Sequence, residues 1–345
     1  MVARSDEGRT LSPPLRYVPY EELAGRDNVV VDGSPTEGTV LSLSHWPQLP
    51  IRPGLKADLS AEMAMAYLDR FDLHGSAESV SNNHFDQDGL VSLFALINPD
   101  AALGQREILI DVAAAGDFAV YRSRAAAHIS MTIAAFADPE RSPLGITPEA
   151  DHTAALYEDL LGRLPELLED PDRYLDLWSD EDATLSNSEA MINSGLVQID
   201  EDPDLDLAVI HLPAQAPISG GHRFGQIWTK GLHPMAIHNA TGRFAVLSVR
   251  GHSYEFSYRY ESWVQYQSRR PRPRVDLRPL AAGLTAQEPD GVTWIFEGAG
   301  YLIPRLYLVG ASQSAISPEE FQLRLEDSLR TAPPAWDPYA PSTSR

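Results

Sequence analysis

The sequence predicts an α/β protein in two parts: an N-terminal, mainly parallel sheet flanked by helices, and a smaller, strand-rich α+β C-terminal domain. Three observations predict it. Through residue 168, short apolar runs alternate with helical patterns, as in βα units. From Glu169 to Asp206 the chain turns strongly acidic, with Asp170-Pro171 and Ser179-Asp180-Glu181-Asp182. Such a stretch reads as a solvated helical face and linker. Beyond it, alternating and aromatic-rich runs read as paired strands. The expected division is a flexible arm at 1–16, an α/β domain at 17–168 and an acidic helical linker at 169–204. An α+β domain at 205–331 and a tail at 332–345 complete it.

The first domain opens, after Pro13-Pro14, with a buried strand at Asn28 to Asp32 that Gly33-Ser34-Pro35 ends. A second strand runs from Thr39 to Ser44, followed by His45-Trp46-Pro47. Asp32 and His45 both sit at strand ends, which makes them secondary site candidates, although each alone also reads as structural. Ala61 to Phe71 has the apolar stripe of a helix, with Ser60 as its cap. Glu78 to Ser81 is a third strand, and Leu90, Val91, Leu93, Phe94 and Ile97 fall at helical spacing after it. Arg106 to Asp111 reads as a buried strand ending in an acid. Ala119 to Phe136 and Thr153 to Leu168 read as helices, with Asp151 a natural cap for the second. In the second domain Leu205 to Leu212, Phe244 to Val249, Tyr254 to Gln267 and Thr293 to Phe296 read as strands. Glu319 to Thr331 reads as the last helix.

Composition narrows the function. The 345 residues are 43% hydrophobic and 22% charged, enough for a sizeable core. A formal charge of −22 opposes long nucleic acid and anionic membrane as partners and favours a small substrate. With no cysteine, disulfides, thiolate catalysis and zinc–thiolate sites are excluded. Met1 to Thr10 lacks a signal-peptide core, and no run reaches the ~18 apolar residues of a membrane span. The expectation is a soluble, cytoplasmic protein, with a homodimer left open.

The chemistry concentrates in His84-Phe85-Asp86-Gln87-Asp88-Gly89. Alternate residues of an extended segment point the same way, so His84, Asp86 and Asp88 can converge. One imidazole with two carboxylates suits a hard or borderline divalent ion such as Mn²⁺ or Mg²⁺. Gly89 permits a sharp turn, and the following helix can aim its amino end at a phosphate. The alternative is an acidic turn with Asp88 as helix N-cap. Asp111, and Asp117 close behind it, are further candidate ligands; Asp111 reads equally well as a cap. Arg269, Arg270, Arg272 and Arg274 form the one dense basic patch, suited to phosphate or simply a proline-stiffened loop. His238, in His233-Pro234-Met235-Ala236-Ile237-His238, is a candidate substrate contact or a turn residue. His128, on an apolar helix, reads as a packed core histidine.

The His84–Gly89 hexapeptide, after a strand and before a helix containing Ser92, resembles the first motif of the DHH phosphoesterase superfamily. That superfamily includes exopolyphosphatases, manganese pyrophosphatases, oligoribonucleases and cyclic-dinucleotide phosphodiesterases. The resemblance implies that His84, Asp86 and Asp88 are metal ligands, for Mn²⁺ ahead of Mg²⁺, with Asp111 in the place of the next motif's acid. It also implies a C-terminal substrate clamp. Ser268-Arg269-Arg270, Val275-Asp276-Leu277 and the glycine turn Glu297-Gly298-Ala299-Gly300 occur in a similar order, which makes Arg269, Arg270, Gly298 and Gly300 candidate substrate contacts. The Asp-His-His triplet is absent; Asp151-His152-Thr153 is the nearest text. Tyr301 stands where the clamp's histidine would be, and Gly220-Gly221-His222 comes too early in the chain. The whole chain also resembles an uncharacterised actinobacterial family. The implied activity is metal-dependent hydrolysis of a small phosphorylated compound or short oligonucleotide. The alternatives are a non-catalytic ligand- or partner-binding protein on the same fold, or a metalloenzyme of different chemistry. Serine-hydrolase, P-loop, dinucleotide-binding and zincin motifs are missing.

Overall fold

A computed structural model describes residues 14–213, 222–223, 226–227 and 232–340. Most of the expected arm, the end of the tail and Gly220-Gly221 lie outside these residues. The N-terminal sheet has four parallel strands in the order β1-β4-β2-β3. These are β1 (Arg16–Tyr17), β2 (Asn28–Val31), β3 (Thr39–Leu43) and, after helix α1 (Ser60–Leu68), β4 (Ser79–Ser81). The crossover through α1 carries the chain over β2, as parallel pairing requires. Helices α2 (Gln87–Ile97), α3 (Pro99–Gly104), α4 (Arg106–Asp117), α5 (Arg124–Phe136) and α6 (Thr153–Glu169) follow. Val29, Val31, Leu43 and Val80 pack against Leu90, Val91, Leu93 and Phe94 of α2, with α1, α4, α5 and α6 around them. Each such side chain contributes about 1.5–3 kcal/mol when fully buried.

The segment expected to be a solvated linker is packed. Helix α7 (Leu175–Asn193) buries Trp178 and Leu185 against Ala127 and Met131 of α5 and Met235 of helix α8 (Pro234–Ala240). Glu181 is buried against His233 at 3.2 Å, and other acids are paired nearer the surface: Arg124 donates to Asp182 Oδ1 at 2.6 Å and to Glu189 Oε2 at 2.8 Å. His128 stacks on Trp178 and meets Asp182 at 2.8 Å, a structural role.

The C-terminal sheet has six strands in the order β12-β13-β10-β9-β6-β5. In chain order these are β5 (Gln198–Asp202), β6 (Leu207–His211), then, after the small hairpin of β7 (His222–Arg223) and β8 (Gln226–Ile227), β9 (Ala245–Arg250) and β10 (Ser253–Tyr258). Next come β11 (Arg274–Val275), helix α9 (Arg278–Thr285), β12 (Thr293–Phe296), β13 (Arg305–Val309), helix α10 (Pro318–Thr331) and β14 (Pro334–Trp336). Leu207, Leu247, Phe256 and Leu306 on one face of the sheet meet Leu284 of α9 and Phe321 and Leu325 of α10. The tail is tied down: β14 pairs with β11, and Trp336 stacks on Trp263. The C-terminal sheet already starts at Gln198, inside the expected linker. Among the described residues no helix is long and apolar enough to cross a membrane.

Three expected elements are corrected. Arg106 to Asp111 is the start of α4 rather than a strand. A short apolar run cannot by itself distinguish the two; here Leu109, Val112 and Ala113 are buried at helical spacing and the alanines continue the helix. The strand read at Tyr254 to Gln267 stops at Tyr258, and a 3-10 turn at Tyr260–Ser262 follows. The helix read from Ala119 begins at Arg124, because Ala119 sits at φ +51°.

Asp111 moves with its helix. Its carboxylate accepts from the Arg122 and Ser123 backbone N–H groups at 2.7 and 2.8 Å and from Ser123 Oγ at 2.9 Å. It therefore anchors the start of α5, which corrects its reading as a strand-end ligand. Asp111→Ala should lower stability to urea by about 1–2 kcal/mol, the cost of a lost helix-end bond. Metal content should stay unchanged, and a loss of bound metal would return Asp111 to the ligand set.

Candidate metal centre

Parallel strands bring their carboxyl ends to one edge of a sheet, and sites of α/β proteins gather there. Here that edge receives Asp32 after β2, His45 after β3 and the His84–Asp88 segment after β4. Asp32 holds φ +44°, a left-handed conformation that aspartate tolerates better than most residues. The next residue, Gly33, lies so close to the β4 loop that a Cβ would fall 2.1 Å from Asn83 Oδ1 and 2.9 Å from Asn82 Oδ1. Asn83 Oδ1 accepts from the Ser34 N–H at 3.0 Å, which locks the two loops together.

Asp86 is the N-cap of α2 and accepts from the Gly89 N–H at 2.8 Å. Asp88, whose alternative reading in the sequence is that cap, caps a different helix: its carboxylate accepts from Ser60 N at 2.8 Å and Ala61 N at 2.7 Å, at the start of α1. Gly89 does not make a sharp turn; it lies in the first turn of α2. A Cβ there would sit 2.4 Å from the Tyr157 hydroxyl and 2.3 Å from Asn82 Nδ2, so close approach is its reason. Gly116 does the same between α4 and α2, where a Cβ would fall 2.6 Å from Gln87 Cβ. That approach delivers Asp117, the last residue of α4, to the sheet edge.

His45 is fully buried. Its Nδ1 lies 2.6 Å from the Asp58 carbonyl oxygen, so the ring proton belongs on Nδ1 and Nε2 presents a lone pair. Nε2 lies 3.4 Å from Asp32 Oδ1, 3.4 Å from Asp117 Oδ2 and 3.9 Å from Asp88 Oδ2. His84 Nε2 lies 2.8 Å from Asp86 Oδ2 and 3.5 Å from Asp32 Oδ2. Two ligand groups result: Asp32, His45, Asp88 and Asp117, and Asp32, His84 and Asp86. The ligand atoms within each group lie within 4.8 Å of one another, and Asp32 belongs to both.

The charges are poorly compensated. Burial, followed by repulsion from neighbouring acids, pushes Asp32 and Asp117 well above the usual carboxylate range and Asp88 up to about 7. Burial alone would raise Asp86 too, but His84 and the Gly89 amide outweigh it and the net shift is downward. For His84 burial opposes the charge, yet Asp86 and Asp88 prevail and raise its pKa. Burial brings His45 down to about 4, which keeps it neutral. Asp32 Oδ2 and Asp117 Oδ2 are buried without a hydrogen-bond partner. Buried carboxyl oxygens left without a partner beside imidazole nitrogens are what a divalent cation satisfies, so the residues fit a metal.

The C-terminal part closes over this edge. The Gln265 N–H donates to the His45 carbonyl at 2.8 Å, and its side chain donates to the Trp46 and Leu49 carbonyls, each at 2.8 Å. Gln267 and Ser268 N–H groups donate to Asp58 Oδ1. Trp46 lies against His84, and Tyr260 against His45. Burial, then the charges of Asp117, Asp32, Asp86 and Asp88, hold the Tyr260 phenol well above its ordinary pKa.

Of the residues singled out in the sequence, His84, Asp86, Asp88 and Asp117 meet here with the two secondary candidates, Asp32 and His45. Several of the other named residues are engaged elsewhere. Arg269 pairs with Asp206 at 2.8 Å and lies over Phe244; Arg270 pairs with Asp337 at 3.2 Å. His238 Nδ1 lies 2.8 Å from the Phe118 carbonyl, next to Asp117. Gly298 (φ +108°) and Gly300 line a cavity of 630 Å³ with Trp263 and Tyr301. The shared role of Asp32 had no sequence signal beyond its place at a strand end.

The chain belongs to a family of unknown function, DUF6687, whose profile matches residues 13–340. No curated protein matches it.

The pKa directions predict a pH dependence. Asp32, Asp88, Asp117 and His84 bind protons more readily in the folded chain, so the stability they contribute is lost as pH rises through their folded values. His45 acts oppositely, but its contribution is intact above about 6.5 and fades only as pH falls towards 4. Asp86 likewise acts only at acid pH. In EDTA the melting temperature should therefore fall between about pH 6.5 and pH 8. Added Mn²⁺ should flatten or reverse that slope, since it prefers ionised carboxylates. Calorimetry showing a flat or rising metal-free profile would contradict the ionisation scheme.

Proposed function

We propose that this chain is a metal-dependent hydrolase, a phosphoesterase acting on a small phosphorylated compound or short oligonucleotide. The observation that carries the reading is the Asp32 carboxylate, shared between two ligand groups and left with an orphaned oxygen. Each group contains an imidazole, which suits Mn²⁺ better than Mg²⁺. The resemblance of His84–Gly89 to the first DHH motif supports the same class.

A divalent cation, when bound, would acidify a water and neutralise charge on a phosphoryl oxygen. The chain's own residues prepare the place for it. Asp32, common to both ligand groups, would be a ligand in either. Asp58 orients His45 through Nδ1, which keeps the Nε2 lone pair aimed at the centre. Ser60 Oγ donates to Asp32 Oδ1 at 2.8 Å and fixes that carboxylate. The Ser60 and Ala61 amides fix Asp88 in the same way. Trp46, Phe118 and Tyr260 limit water around the two imidazoles.

One observation favours a binding protein without catalysis. Asp86 and Asp88 both cap helices, so the fold gives each a reason to be present apart from chemistry.

Elemental analysis with a phosphoester screen separates the readings. Protein equilibrated with Mn²⁺ and gel-filtered should retain metal, lose part of it in Asp117→Asn and lose it all in Asp32→Asn. Because each substitution removes a repelled buried charge, neither should lower the melting temperature in EDTA. Phosphate release from phosphomonoesters, pyrophosphate or dinucleotides should follow the metal content. Metal without phosphate release moves the assignment to another metalloenzyme chemistry, and absence of metal sinks it.

A further inference from the structure

The metal centre has a neighbour that neither the ligand set nor the sequence motif includes. Tyr260 opens the 3-10 turn after β10, and its hydroxyl lies 3.4 Å from His45 Nε2. That is the one hydrogen-bonding neighbour of this hydroxyl among the described residues. The ring is held on three sides. It stacks on Trp263 at 5.8 Å and 19°, meets His45 edge-on at 5.8 Å, and touches Phe118 at 6.1 Å.

The turn is fixed from behind by Arg274. This guanidinium is fully buried, and burial pushes its pKa down to about 9. All of its N–H groups are used. Nε donates to Ser262 Oγ, one terminal nitrogen to the Ala299 and Tyr301 carbonyls, and the other to the Arg259 and Leu302 carbonyls. Arg274 thus clamps the residues on either side of Tyr260 to the glycine loop. The phenol has little freedom to swing away.

His45 Nδ1 is committed to Asp58, so Nε2 is the acceptor for the Tyr260 O–H. Its lone pair cannot serve both the hydroxyl and a cation. Once Nε2 acts as a ligand, a confined O–H loses its acceptor and must find another. A phenylalanine would fill the same space without that need.

We propose that Tyr260 is the hydrogen-bond donor of the centre, giving its O–H to a phosphoryl oxygen seated beside His45. The inference rests on the phosphoesterase reading above and adds a catalytic residue from the C-terminal part. A phenol is suited to the role because it is protonated at neutral pH and donates without bringing another negative charge.

The test is Tyr260→Phe in the full chain, loaded with Mn²⁺ and titrated calorimetrically with inorganic phosphate. Mn²⁺ affinity should be at least that of wild type, because the hydroxyl that competes for His45 Nε2 is gone. Phosphate affinity should fall by about 10-fold or more, the effect of losing a hydrogen bond to a charged group. For any ester the protein hydrolyses, kcat should fall by roughly 10²-fold with a smaller change in KM, as for other transition-state donors. Equal phosphate affinity in variant and wild type, both loaded with Mn²⁺, overturns the role of Tyr260 and leaves the metal centre standing. Wild type that takes up no Mn²⁺ overturns both. A fluorotyrosine placed at position 260 gives a readout that needs no deletion: its ¹⁹F resonance should move when phosphate is added to the loaded protein, and a fixed resonance counts against the proposal.

Discussion

The structure depends on holding several carboxylates close together, out of water, at one edge of a sheet. Asp32, Asp86, Asp88 and Asp117 repel one another across a space that also contains His45 and His84. The chain offsets part of the cost with oriented donors. Ser60 and Ala61 amides serve Asp88, the Gly89 amide serves Asp86, and the Ser60 hydroxyl serves Asp32. These bonds also set the framework, because they fix the start of α1 against the start of α2. The acids are therefore part of how the helices are placed as well as the chemistry that the helices present.

Close approach is the second condition. Gly33, Gly89 and Gly116 each stand where a methyl group would collide with a neighbouring element. Each brings a different segment inward: the β2 loop, the start of α2 and the end of α4. The C-terminal part then covers the edge, using backbone bonds from Gln265, Gln267 and Ser268 to the loop between β3 and α1. That loop carries His45 and its orienting partner Asp58. The two halves of the chain thus share one centre through hydrogen bonds that fix the imidazole.

The sequence made much of this legible and hid the rest for physical reasons. His84 and Asp86 were readable as partners because alternation in an extended segment is a local property, but Asp88 lies in the first turn of α2 and joins the other ligand group, so that argument does not explain its place. Parallel strands were readable from short apolar runs followed by helices. Asp117 came within reach by its place after an apolar run, although that run is a helix and not a strand. What brings Asp117 to the centre is the glycine before it, and no local pattern reports which helix that glycine faces. Asp111 was misplaced because Ile108, Leu109 and Ile110 fit either a strand or a helix until the burial of Leu109, Val112 and Ala113 decides it. The acidic stretch at α7 was read by charge, whereas Trp178 and Leu185 determine how it packs. Tyr260 was concealed inside an aromatic run whose strand ends two residues earlier.

The charge of the whole chain bears on how such a centre would work. A formal charge of −22 draws cations towards the molecule and repels phosphates. The local balance takes the same sign once the acids ionise, since they outnumber the two histidines and His45 is neutral. On the phosphoesterase reading, an anionic substrate approaching the bare centre would meet repulsion from both the field and the site. A bound cation would reverse the local term. Cation loading would then precede phosphate binding on electrostatic grounds. A neutral phenol at Tyr260 suits that order, because its donor can meet the incoming oxygen without adding to the positive charge that holds the carboxylates.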